Sequence, residues 1–272
     1  GVEHPDRPVH GPPGYDVAPP AERTPPLDLR RPLRHKVRRM TIREFIAQTE
    51  PIGTLGAAWY FDPDTVAKGK EHNLDGFRFY FLGRGGVLGD VEPEVVMSAF
   101  GYWNPELVRK MWNTGKERIA PREAARLYLS CCHEFARKKF ADVPGLEAFC
   151  AAAEQVNDAI DPAGLALYAG ISAEPLPEDP PARALQLCSV LREARGSAHL
   201  VGVVAVGLRP RIAHAIKRPD DGKLFGWDDE PVPTDDERKR WEQAEEITLQ
   251  QLERWYGVLD EAGRDAFLHG LQ

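Results

Sequence analysis

From Met40 onward, apolar residues recur at intervals of three and four, the spacing that places them on one face of a helix. Thr41 reads as an N-cap, with Glu44 completing a capping box ahead of Ile42, Phe45 and Ile46. Pro51 and Gly53 predict a kink, after which the helix resumes through Leu55, Ala58 and Trp59. Asp62-Pro63 opens the next helix, ending near Asn73, because proline is tolerated at a first helical position. Between Phe77 and Gly89 the pattern changes. Phe77, Phe79 and Phe81 alternate with Arg78, Tyr80 and Leu82, a period of two that predicts a strand or turn followed by a glycine-rich loop. Pro93, Pro105 and Pro121 each begin further helices, the last reaching about Phe140. Two more are expected near 145–158 and 162–172.

The proline-rich stretch 174–181 reads as a linker. The longest helical text follows, from Ala182 to about Leu208, with interruptions expected near Gly196 or Gly202. A short helix after Pro210, an acidic loop over 219–236, a helix from Asp236 to about Tyr256 and a last short helix carrying Phe267 and Leu271 complete the chain. No repeat of fixed period is visible. These elements predict an all-α protein with at most a small β-hairpin. It divides into an arm (1–39), an N-terminal helical half (40–173), a linker (174–181) and a C-terminal helical half (182–272).

The arm is different text. It holds nine of the 24 prolines, has almost no apolar periodicity, and ends in a basic run, Arg30, Arg31, Arg34, Lys36, Arg38 and Arg39. Such a segment cannot bury enough surface to offset its ordering entropy. It is either a solvated tail or an arm that wraps a neighbouring subunit or touches an acidic partner, and the wrapping reading predicts a homo-oligomer with arm exchange. The remaining chain is acidic, with 37 Asp and Glu against 27 Lys and Arg from residue 40 onward. That balance disfavours a surface that clamps DNA. No apolar run reaches the roughly 18 residues of a spanning helix, and no N-terminal signal is visible, so a cytoplasmic location without membrane contact is expected. The four cysteines, two of them adjacent, form no CxxC, which suits reduced thiols better than a disulfide framework.

Candidate chemistry concentrates in residues 191–208, where Arg192, Glu193, Arg195 and His199 are embedded in apolar helical text. A buried polar group left unpaired costs about 1–3 kcal/mol, so these residues must have partners. They form either a structural hydrogen-bond network or a pocket. His214, on the next helix among Ile212, Ala213 and Ile216, is placed to face His199 across a helical hairpin, or else is a satisfied core histidine. The glycine loop 83–89 lacks the Lys-Ser/Thr ending of a P-loop. It reads as a structural turn, or as a turn that delivers Arg84 into a pocket or to an anion. No metal-ligand spacing appears, since Cys131, Cys132 and His133 point about 100° apart on a helix, so no metal and no cofactor are expected. No GxSxG or other nucleophile signature is present.

Taken together, Phe79-Tyr80-Phe81-Leu82-Gly83-Arg84 with Leu88-Gly89, Leu191-Arg192-Glu193 with Arg195-Gly196 and His199, then His214 and Gly226-Trp227 resemble an actinobacterial family of mostly uncharacterised helix-turn-helix proteins. The resemblance spans about residues 40–230. Val87, Ala194, Ser197 and Ala198 stand where the family has Pro, His, Asp and Gly. The resemblance implies winged-helix-like halves and allows DNA binding, which the acidic residues 220–272 (15 acids against six Lys and Arg) oppose. The combined reading is a small-molecule-binding helical protein, a ligand-responsive regulator. Tyr80, Arg84, Arg192 and Arg195 are its ligand-binding residues, and Glu193, His199 and His214 its proton-handling or catalytic ones. The alternative is a cofactor-free enzyme of a secondary-metabolite pathway that uses the same Glu/Arg/His pocket.

Overall fold

Local signals set most helix boundaries. In the computed structural model, which describes residues 40–272, Thr41 caps α1 (Ile42–Gln48) through the expected reciprocal box with Glu44. The arm, and with it the expectation of arm exchange, lies outside the described residues. Prolines in the first turn open α2 (Pro51–Leu55) and α3 (Pro63–Glu71), so Pro51 starts a separate helix instead of kinking one.

The expected strand is a helix. Asp75 caps α4 (Gly76–Gly85), which runs into a 3-10 turn, Gly86–Leu88. The alternation failed as a signal because Tyr80 and Leu82 are buried along with Phe79 and Phe81, so no polar face exists for a strand to present. A helix covered on several sides is apolar all round. No strand occurs among the described residues, and the hairpin does not form.

The glycines of this segment serve close packing. A Cβ on Gly83 would lie 2.5 Å from the Tyr128 ring, and one on Gly86 would lie 2.0 Å from the Pro121 carbonyl oxygen. The Gly86 N–H is also taken, by the Leu82 carbonyl, so the segment is no open cradle for an anion.

The chain continues through α5 (Pro93–Phe100), α6 (Pro105–Lys116), α7 (Pro121–Lys139), α8 (Leu146–Asp158) and α9 (Ala166–Ser172). The long α10 (Pro180–Ala205) is capped by Asp179, and α11 (Pro210–Lys217), α12 (Asp235–Tyr256) and α13 (Glu261–His269) follow. Neither Gly196 nor Gly202 interrupts α10. Met40–Gln272 form one compact unit. Its centre is built from α4, which packs on α6 and α7, and from α10, which packs on α2, α7, α8, α9 and α12. Residues 184–191 of α10 are all buried.

A short pattern without fixed period recurs at two helix junctions. Ala99-Phe100-Gly101 ends α5 and Pro105 starts α6, while Ala205-Val206-Gly207 ends α10 and Pro210 starts α11. Each pair is joined by a four-residue turn, 101–104 or 206–209. The second turn needs glycine, because Gly207 has φ +68°. Two helices joined by a three- or four-residue turn with glycine are the geometry of a helix-turn-helix.

Candidate functional site

The predicted polar residues fall into three places. The first is a buried ion cluster where α4 meets α10. Tyr80 and Arg84 lie one turn apart on α4. Arg84 clasps the Glu193 carboxylate with Nε and Nη2, both at 2.7 Å, and donates from Nη1 to the Tyr80 hydroxyl at 3.0 Å. Arg192 Nη1 donates to Glu193 at 2.9 Å, and the Tyr60 hydroxyl donates to it at 3.0 Å. The Arg84 guanidinium also lies 4.4 Å from the centroid of the Phe100 ring.

Burial alone would raise the Glu193 carboxyl. The Arg84 charge and its two bonds, helped by Arg192 and Tyr60, outweigh that and hold it down to about 2. The cavity beside this cluster is about 10 Å³, room for about one water. Nothing local in the sequence distinguishes Tyr60 from its neighbour Trp59.

The second place is the contact between α10 and α12. Arg195 donates to Glu245 at 3.0 Å and does not join the Glu193 cluster. His199 Nδ1 lies 3.1 Å from the Thr248 hydroxyl, which itself donates to the Ala244 carbonyl at 2.7 Å. With its proton committed there, Thr248 accepts from His199, so Nδ1 carries the hydrogen. Burial lowers the His199 pKa, and Glu245, 3.6 Å away, only partly opposes it. The imidazole is therefore neutral at neutral pH.

The third place is α11. His214 packs its ring 3.9 Å from Phe225, centroid to centroid, and its residue is 8% exposed. Burial lowers its pKa as well. Its Nε2 is buried with no hydrogen-bond partner. The two predicted histidines do not meet directly; each ring neighbours Tyr102, at 6.4 Å and 6.5 Å.

His214 also lines a groove of about 320 Å³, bounded on one side by Arg211, Ala215 and Arg218 of α11 and its end, and on the other by residues 227–233. Arg211 pairs with Asp229, places its guanidinium 4.4 Å from the Trp227 ring, and leaves Nε buried and unpartnered. The Gly226-Trp227 pair was the only sequence signal for this wall. Among the described residues, no three His, Cys, Asp or Glu side chains cluster as a metal site would require.

Residues 42–271 match the model of the helix-turn-helix family, and the chain belongs to that family. No helix among the described residues is long and apolar enough to cross a membrane. No curated protein and no solved structure matches the chain.

Proposed function

We propose that this protein is a small-molecule-binding regulator of helix-turn-helix fold, and that its ligand seats in the groove against α11. The observation that carries this is His214: a nearly buried imidazole whose Nε2 lacks a partner, on the wall of a cavity large enough for a small molecule. Native structures rarely leave such an atom unsatisfied without a reason. Position supports regulation, since α11 is the second helix of a helix-turn-helix pair, the element that reads DNA in proteins that use this motif.

The same helix argues for ligand over phosphate as its partner. Arg211 is engaged by Asp229, and Arg218, just past the helix end, by Asp221, so both arginines are paired within the chain. The reading in which Glu193 acts as acid or base finds less support. That carboxylate is held ionised by two arginines and has room beside it for little more than one water.

Native mass spectrometry of the full chain, purified from its source, tests the proposal. A bound small molecule should appear on the parent and be lost from His214→Phe. A parent that carries no adduct, or a variant that retains it fully, would overturn the assignment.

A further inference from the structure

The outward face of α11 is covered by the chain that follows it. Residues 209–218 carry Arg209, Arg211, Lys217 and Arg218 and no acid, whereas 219–230 carry Asp220, Asp221, Asp228, Asp229 and Glu230 against one Lys223. Ile212, Ala213 and Ile216 turn α11 toward a small core, while Arg211, His214, Ala215 and Arg218, at spacings of three and four, form its other side. That side is what the second helix of such a motif offers to the major groove. Here residues 222–230 lie across it as a strap. Phe225 packs on the His214 ring, and Trp227 lies against the Arg211 guanidinium. Arg211 Nη2 donates to the Asp229 carbonyl at 3.0 Å besides pairing with its carboxylate.

The strap is fastened to the other helix-turn-helix pair. In the turn between α5 and α6, Asn104 donates from its backbone N–H to the Phe225 carbonyl at 2.9 Å and from Nδ2 to the Gly226 carbonyl at 2.8 Å. Trp227 Nε1 donates to the Tyr102 carbonyl at 3.1 Å, and Trp103 stacks on Phe225, 4.1 Å between centroids. Gly226 has φ +80°, and a Cβ there would lie 2.8 Å from the Leu107 side chain. Toward α11 the fit is poorer. A groove of about 320 Å³ lies between strap and helix, and Arg211 Nε and His214 Nε2 are buried without partners, a cost that release to water returns.

Taking up the regulatory part of the reading above, and resting on its helix-turn-helix assignment but not on its ligand, we infer that residues 222–230 are an autoinhibitory strap. The partner they exclude from α11 is the phosphate backbone of duplex DNA. In the closed state the Asp229 carboxylate stands on Arg211 where a phosphate would. Release frees Arg211, with Arg209 and Lys217 already exposed at either end of the helix.

Fluorescence anisotropy with a labelled duplex of mixed sequence at low salt tests this on the full chain, in which every variant carries the same basic run over 30–39. Two variants loosen the strap by different means. Gly226→Ala strains it without changing charge, and Asp229→Asn, at an exposed position, removes the pairing charge and remains the test should Gly226→Ala fold poorly. Each should bind the duplex about tenfold tighter than the parent, with the gain falling as salt rises. Hydrogen exchange should show residues 222–230 less protected in both. Adding Arg211→Ala should remove most of the gain, and Glu147→Gln, which neutralises an exposed acid on α8, should leave affinity unchanged. A strap loosened by exchange with affinity still at the parent's level would refute the masking. So would a gain that survives Arg211→Ala or that Glu147→Gln reproduces. Unchanged exchange in both variants would refute the fastening, and a parent whose own affinity depends on Arg211 would show the face to be open. None of these outcomes touches the adduct sought by native mass spectrometry, so the ligand reading stands or falls separately.

Discussion

Glu193→Gln isolates the buried ion cluster. The side chain of Glu193 is 3% exposed, and Arg84, which it faces, is 14% exposed. The substitution keeps shape and removes charge, so Arg84 and Arg192 lose their counter-ion in a site with room beside it for about one water. Breaking one partner of a buried pair typically costs about 3–5 kcal/mol. The titration of Glu193 supplies an independent figure. Its carboxyl is held at about 2 against an ordinary 4.5. At about 1.4 kcal/mol per pKa unit, that difference is worth about 3 kcal/mol. Because the folded-state value is depressed, this stability is fully present above pH 4.5 and is lost as pH falls toward 2.

The parent should therefore exceed Glu193→Gln by about 3–5 kcal/mol at pH 7 in urea unfolding, and melt higher by roughly 6–20 °C. The gap should shrink by about 3 kcal/mol by pH 2, where the parent's carboxyl is about half protonated in the folded state and almost fully protonated in the unfolded one. A difference below about 1 kcal/mol at pH 7, or a gap that does not change with pH, would show that Glu193 is not the stabilising centre of the cluster.

Other substitutions probe the remaining contacts. Gly86→Ala should destabilise by about 3 kcal/mol, the upper end for overpacking, because its new methyl meets the Pro121 carbonyl and not a movable side chain; a melt within 2 °C of the parent would refute this. Gly196→Ala should do the reverse and stabilise by about 0.5–1 kcal/mol, since nothing lies within 4 Å of its Cβ position and helix propensity alone decides; destabilisation in urea would count against that account. His199→Phe should cost about 1 kcal/mol, the worth of one hydrogen bond, because Thr248 keeps its bond to Ala244; a loss above about 3 kcal/mol would mean that the residue has a larger role. Residues 40–272 should show no sequence-selective duplex binding by fluorescence anisotropy at near-physiological salt, given the acidic excess and the internally paired arginines of α11; selective submicromolar binding would overturn this.

What could be read from the chain alone was whatever depends on near neighbours. The Thr41–Glu44 box, the proline starts of α5, α6 and α7 and the helical class are matters of caps and backbone torsions settled within four residues. That Glu193 needs partners was legible too, because an acid in apolar helical text implies them. Their identity was not: Arg84 lies 109 residues away, and Tyr60 lies 133. The same limit explains α4. Alternating phenylalanines suggest a strand only if the residues between them face water, and it is α6 and α7 that bury those as well. Gly83 and Gly86 resemble a flexible loop until Tyr128 and Pro121 are placed against them. Arg195, His199 and His214 share a stretch of sequence with Glu193, yet each turns to a different neighbour, Glu245, Thr248 and Phe225. Periodicity specifies the face a side chain occupies, but the partner on that face comes from whichever distant helix the core brings alongside.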